Sequence, residues 1–243
     1  MPPSTRVAVP LFLLLVLPVT GTALAQQSDP FHARPADTAA ASEPKDAPRP
    51  LSGTVDPRLK AMDSVVYRLG PGSRLLVKTG KAGLFGFAGH SHVIRADRFQ
   101  GEVVYYPRNP SSSHLDIRVL TGSLEVLTPP DTAEIRQVTE TMRTQVLRTA
   151  DYPQIRLVSR RVVPSAHGFH IIGAMTLAGQ TRDLPIDVTT RIGVDTLEAA
   201  SAFSLKQTDF GIKPVSAGPG GTVKVADRVT FDIRAVAVRA GPH

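Results

Sequence analysis

Residues 168–190 read GFHIIGAMTLAGQTRDLPIDVTT, two strand-like runs joined by a short polar turn. Phe169, Ile171, Gly173 and Met175 share one face of the first run. In the second, Leu184, Ile186 and Val188 alternate with Pro185, Asp187 and Thr189. Successive side chains of a strand point to opposite faces, so both runs predict a sheet with one buried side. What that buried side encloses is where a function is to be sought.

The same two-residue period extends in both directions. Strand-like pieces occur at 74–78, 93–95 and 102–106, and Leu115, Ile117 and Val119 alternate with Asp116 and Arg118. Leu124 and Val126 flank Glu125, and Ile155 and Leu157 flank Arg156. Further on come 202–206, 222–225, and a last run in which Val229, Phe231, Ile233, Ala235 and Ala237 alternate with polar residues. So many alternating segments separated by turn residues predict an all-β chain, an antiparallel sheet that closes on itself or folds over as a sandwich. The charges of these strands fall on the outer face, where water solvates them.

One segment breaks the period. Between Asp131 and Arg148, Ile135, Val138, Met142, Val146 and Leu147 follow helical spacing. Asp131 with Glu134 three positions on has the form of a capping box after Pro129-Pro130. The spacing predicts a long amphipathic α-helix packed on the sheet. It lacks the Lys-rich face and bulky aromatics of helices that lie on membranes.

The N-terminus carries an address. Arg6 precedes an apolar run over residues 7–19, and Ala23-Leu24-Ala25 places small residues at the −3 and −1 positions of a cleavage site. That is the pattern of a secretory signal peptide over residues 1–25, cleaved after Ala25, and it implies export to the periplasm. The apolar run is shorter than the ~18 residues of a membrane span, and no later stretch reaches that length, so no transmembrane segment is expected after cleavage. Residues 26–62 are rich in Ala, Pro, Asp, Ser and Thr and too poor in apolar residues to offset the entropy of ordering, so they read as a tether. The globular domain is expected over residues 63–241.

Composition removes several classes. The chain has no Cys, so it holds neither disulfides nor thiolate chemistry, and its stability must come from its core. The formal charge of +7 suits a solubilising surface or anionic neighbours. With no Trp and only four Tyr it lacks the aromatic platforms of nucleic-acid binding, and no nucleic-acid partner is expected. No Gly-x-Ser-x-Gly elbow activates a serine. Asp209-Phe210-Gly211 stands without the glycine loop and lysine of a kinase, and Gly218-Pro219-Gly220-Gly221 lacks the Lys and Ser/Thr of a phosphate cradle. No enzyme activity and no cofactor are expected.

Order along the chain points to a family. Ser123-Leu124-Glu125 leads into the helix, and Tyr152-Pro153-Gln154-Ile155 follows it. Then come G-x-x-x-L-x-G-x-T-R over residues 173–182 and L-x-x-x-D-F-G-I over residues 205–212. Over about residues 65–240 the chain resembles the YceI-like family, exported lipocalin-like barrels associated with polyisoprenoid lipids. Tyr152 and Pro153 match its Tyr-Pro pair, and Gly173, Leu177, Gly179, Thr181 and Arg182 match its hairpin. Asp209, Phe210 and Gly211 match its late strand end. Two departures stand out: Lys206-Gln207 where the family commonly has an Arg, and Gly89-His90-Ser91-His92 where it often shows a single His.

The resemblance implies a lipocalin-like antiparallel β-barrel with one long helix. Its lumen would take a polyisoprenoid or other long-chain apolar lipid, lined by Leu157, Phe169, Ile171, Leu184, Ile186, Phe231 and Ile233. His90, His92 and Lys206 would contact the head group at the mouth. The same apolar residues also suit a solidly filled core, as in a stress-related structural barrel. On an extended strand His90 and His92 point the same way, so a metal held by that pair, with a third ligand from His114, His167 or His170, is the rival reading. The reading allows a homodimer.

Overall fold

The computed structural model describes residues 51–82, 91–128, 132–217 and 223–241. The leader, most of the tether, His90, Asp131 and the 218–221 loop lie outside the described residues. Twelve strands and one α-helix follow one another. They are β1 (Val65–Leu69), β2 (Arg74–Ala82), β3 (Val93–Ala96), β4 (Phe99–Tyr105), β5 (His114–Leu120), β6 (Leu124–Val126), α1 (Thr132–Thr141), β7 (Gln154–Ser165), β8 (Gly168–Leu177), β9 (Gln180–Ile192), β10 (Thr196–Lys206), β11 (Ser216–Ala217) and β12 (Val223–Arg239).

The hairpin read from residues 168–190 is present in full register. Gly168 pairs with Thr189 at one end and Leu177 with Gln180 at the other. Its turn is Ala178 (φ 47°) and Gly179 (φ 76°). Two positive φ values make the mirror-image turn that matches the right-handed twist of the strands. A Cβ on Gly179 would lie 2.5 Å from Cε1 of Tyr152, so the Tyr-Pro pair and the hairpin glycine are two sides of one contact.

Eight strands close on themselves in the order β1-β4-β5-β7-β8-β9-β10-β12, all antiparallel, with β12 returning to β1 through Tyr67↔Arg239 and Leu69↔Ala237. This is the closed barrel, and not the sandwich that periodicity alone also allowed. Along its other half the same edge of β12 pairs with β2, from Lys224↔Ala82 to Arg234↔Arg74, and β3 and β6 continue outward as a short arm. The runs read separately at 222–225 and 229–237 are one strand, with a register shift between Val225 and Val229.

The helix covers the arm. Its last strand, β6, would present open backbone groups, and helical residues cap them: Val126 N–H donates to Thr139 Oγ1 (3.2 Å), and the Arg143 guanidinium donates twice to the Leu124 carbonyl (3.1 and 2.9 Å). Beneath, Val138, Met142 and Leu147 pack on Leu75, Ala96, Val119, Leu124 and Val126. The α-helix is shorter than the spacing over 131–148 predicts. It passes into a π turn at Met142–Val146, and Arg148 ends the segment at φ 47°, over the ring of Tyr152 at 4.9 Å.

The fold also begins earlier than residue 63. Asp56 N–H donates to the Ile192 carbonyl (2.7 Å) and Ile192 N–H to the Thr54 carbonyl (2.8 Å). A 3-10 turn at Pro57–Ala61, capped by the Asp56 side chain, seats Leu59 completely buried. Residues 51–62, expected within the tether, are therefore part of the folded unit. Leu51, Leu59, Met62 and two backbone bonds do this, too scattered to register as hydrophobic periodicity.

Candidate functional site

The barrel interior has three levels. At the top, where β9 turns into β10, Leu59, Val65, Tyr67, Tyr105, Ile192, Leu197 and Ala237 form a stopper. Tyr67 is fully buried, and its hydroxyl donates to the Gly193 carbonyl at 2.6 Å. That bond satisfies the Tyr67 hydroxyl inside the plug, while burial pushes its phenol pKa up to about 12.

At the bottom, Met175, Leu177, Leu205, Phe210, Ile212, Val229 and Phe231 make a second stopper. The Asp209-Phe210-Gly211 triplet lies here. It is a 3-10 turn (Gln207–Phe210) and not a strand end, with Gly211 at φ 71° and Phe210 1% exposed. Asp227 anchors the turn by accepting from Thr208 N–H (2.9 Å) and Oγ1–H (2.8 Å). Those hydrogen bonds hold its carboxyl below the ordinary carboxylate range.

Between the stoppers the packing is looser. A cavity of about 90 Å³ is walled by inward side chains including Leu69, Leu115, Ile117, Val188, Ala199 and Phe203. A second, of about 70 Å³, adjoins it toward Tyr105 and Phe169. Nearly every wall atom is apolar, so the interior offers burial and few hydrogen bonds, the character of a site for a hydrocarbon. Ala199 and Ala235 make the room, while two glycines let leucines lie close on the sheet: a Cβ on Gly173 would lie 2.7 Å from Cδ1 of Leu157, and one on Gly101 2.7 Å from Cδ1 of Leu69.

The expected lumen residues all belong to this interior. Leu157, Ile171, Ile186 and Ile233 wall the central cavity, and Phe169 the upper one. Leu184 and Phe231 pack in the lower stopper, where Phe231 stacks on Phe203 at 4.9 Å. Sequence reading passed over Phe203, Ala199 and Leu69. Phe203 and Ala199 share the alternation of β10 and were legible, whereas Leu69 ends a short strand in which only burial reveals the face.

The expected mouth is less coherent. His90 lies outside the described residues. His92 sits before β3, half-buried, its Nδ1 2.8 Å from the Thr128 carbonyl and its N–H on Thr79 Oγ1 (3.1 Å). Lys206 ends β10 on the exposed surface. Because β2 and β12 intervene, His92 and Lys206 stand at one end of the barrel about 14 Å apart at the usual strand spacing. His114, His167 and His170 belong to the opposite half of the barrel, on β5, the β7–β8 turn and β8. Among the described residues no group of three His, Asp or Glu side chains converges to hold a metal ion.

Outside, charges pair across strands. Asp116 accepts from Arg156 (2.7 Å) and Arg118 (3.0 Å), with Arg156 chiefly holding its carboxyl below the usual range. Arg160 meets Asp183 at 2.7 Å. These exposed pairs fix the outer face and leave the lumen uncharged.

Fold and interior together define a class: closed eight-stranded antiparallel barrels, lipocalin-like, with an apolar lumen between two stoppers. Within that class the YceI-like domain matches residues 77–237 of the 243. The chain belongs to the YceI-like family. BcnA of Burkholderia cenocepacia is similar in structure, with TM-score 0.55 and 15% identity over 69% of this chain and 98% of that one. A polyisoprenoid binding domain from Saccharophagus degradans, implicated in plant cell wall breakdown, superposes with TM-score 0.50 and 12% identity over 72% of this chain and 99% of that one. At such identities the likeness is one of fold. No match was found among curated proteins.

Proposed function

We propose that this protein binds an isoprenoid or similar long apolar chain in its lumen, without chemical conversion, in the periplasm. The observation that carries this reading is the loosely packed apolar level between two tight stoppers. A barrel whose purpose is a filled core has no reason to leave Ala199 and Ala235, paired across β10 and β12, where larger side chains would close the gap. The Saccharophagus degradans domain, described as polyisoprenoid binding, supports the choice of ligand class. Export rests on the leader read in residues 1–25.

The cavities are small beside the ~300 Å³ or more of ordinary ligand sites, so a long chain must widen the central level by turning Leu115, Ile117, Leu157 and Phe203 aside. The driving force is apolar burial, about 25 cal/mol per Å² removed from water. Native mass spectrometry of protein gently purified from its own cell envelope tests the reading. A bound mass in the lipid range, or uptake of added polyprenyl lipid, supports it. A bare chain that takes up none overturns it in favour of a filled structural barrel.

A further inference from the structure

The barrel wall has an unzipped seam. β8 is paired along its whole length with residues 180–189 of β9, and β10 with β12 from Thr196↔Val238 to Lys206↔Arg228. β9 and β10, by contrast, pair only from Ile192↔Leu197 to Thr189↔Ala200. Below that point no ladder joins residues 180–188 to residues 201–206, although both segments stay extended. Pro185, which cannot donate to a ladder, sits within the unpaired stretch of β9, as a proline in a strand with an open edge should.

Side chains finish the edge where the ladder stops. Ser201 Oγ–H donates to the Asp187 carbonyl (2.7 Å), and Thr189 Oγ1–H reaches the Ala200 carbonyl (3.4 Å). Over this point lies an outer depression of about 410 Å³, bordered by His170 and Asp187, which pair with each other, and by Thr189, Ala202 and Asp232. Four of its walls, Val188, Ala200, Ser201 and Ile233, also wall the central cavity. A continuous sheet hides its inner face from its outer one. Of the four shared walls, Val188 and Ser201 lie on the two unpaired edges, and there the wall is open.

We infer that the seam between β9 and β10 is a lateral portal through which the apolar chain passes sideways into the lumen. The inference rests on the lipid-binding reading above. Passage through either end must displace fully buried groups, Leu59 and Tyr67 at the top or Phe210 at the bottom. Passage through the seam beside Val188, Ser201 and Phe203 breaks no backbone ladder and displaces side chains that are only half-buried. The tail enters while a polar head stays outside against the hydroxyls of Ser201 and Thr189.

Tying the seam tests it. The chain has no cysteine, so in Asp187→Cys/Ala202→Cys a reversible bis-methanethiosulfonate linker joins only the two introduced thiols. Transfer of a fluorescent prenyl lipid from phosphatidylcholine vesicles should slow on the order of tenfold when tied and recover on reduction. The same tie across the laddered β8–β9 pair, Thr176→Cys/Thr181→Cys, should leave the rate unchanged. An equal rate in the tied and reduced seam variant, with uptake intact, overturns the portal and leaves the lipid-binding reading standing. Absence of uptake by the unmodified protein overturns both. Amide exchange of the unmodified protein gives an independent check: seam-facing amides of residues 181–187 should exchange fast, and uniform protection along β9 would show a continuous ladder and overturn the portal.

Discussion

Single atoms set the two properties that matter most inside this barrel. Tyr67 closes the top with one hydroxyl, and Tyr67→Phe should cost about 1–2 kcal/mol by leaving the Gly193 carbonyl without its donor, read as a lowered denaturation midpoint. The phenol's raised pKa adds a pH dependence. Its contribution is complete below the ordinary Tyr value near 10 and is lost as pH rises toward about 12, because only the unfolded chain ionises freely in that window. Tyr67→Phe should therefore flatten the alkaline limb of stability. Gly173 controls space instead of polarity. Gly173→Val forces Leu157 and Ile186 into the central cavity, and should lower prenyl lipid capacity sharply while overpacking costs about 1–3 kcal/mol. Unchanged lipid uptake by that variant would count against the lumen as the site.

Elements, in turn, act as stoppers and walls. The 3-10 turn carrying Phe210 is held by the Asp227 carboxylate, whose depressed pKa makes its support full above the ordinary carboxylate range and lost as pH falls through and below it. Amide exchange at Thr208–Gly211 should speed in acid before the barrel unfolds, and Asp227→Asn should produce the same loosening at neutral pH. The N-terminal turn is the matching device at the top. Leu59→Ala should cost about 2–5 kcal/mol, and a chain shortened to begin at residue 63 should lose at least as much in thermal unfolding. The sequence hid this turn because Leu51, Leu59 and Met62 follow neither the helical nor the strand period. The helix was legible in its apolar stripe, but its passage into a π turn answers to contacts with β6 that no local spacing reports.

For the molecule as a whole, alternation over so many segments already dictated an antiparallel sheet with a greasy side, since period-two patterning is a local property of the strand. The hairpin at residues 168–190 and its glycine turn are likewise local and hold in the structure, whereas Asp209-Phe210-Gly211, expected as a strand end, is a 3-10 turn. Lumen residues such as Ile171, Ile186 and Ile233 were readable for the same reason: facing inward is a matter of parity. Closure is different in kind, because β1 meets β12 across almost the full length of the domain; periodicity left a sandwich open, and only the resemblance implied a barrel. The separation of His92 from Lys206 was not legible, because strand parity says which face a residue takes but not how many strands stand between two of them. Only the tertiary structure decided how much room remains inside and where β9 and β10 part company. Both depend on side-chain volumes and pairings contributed by distant strands, and no residue's neighbours in sequence carry that information.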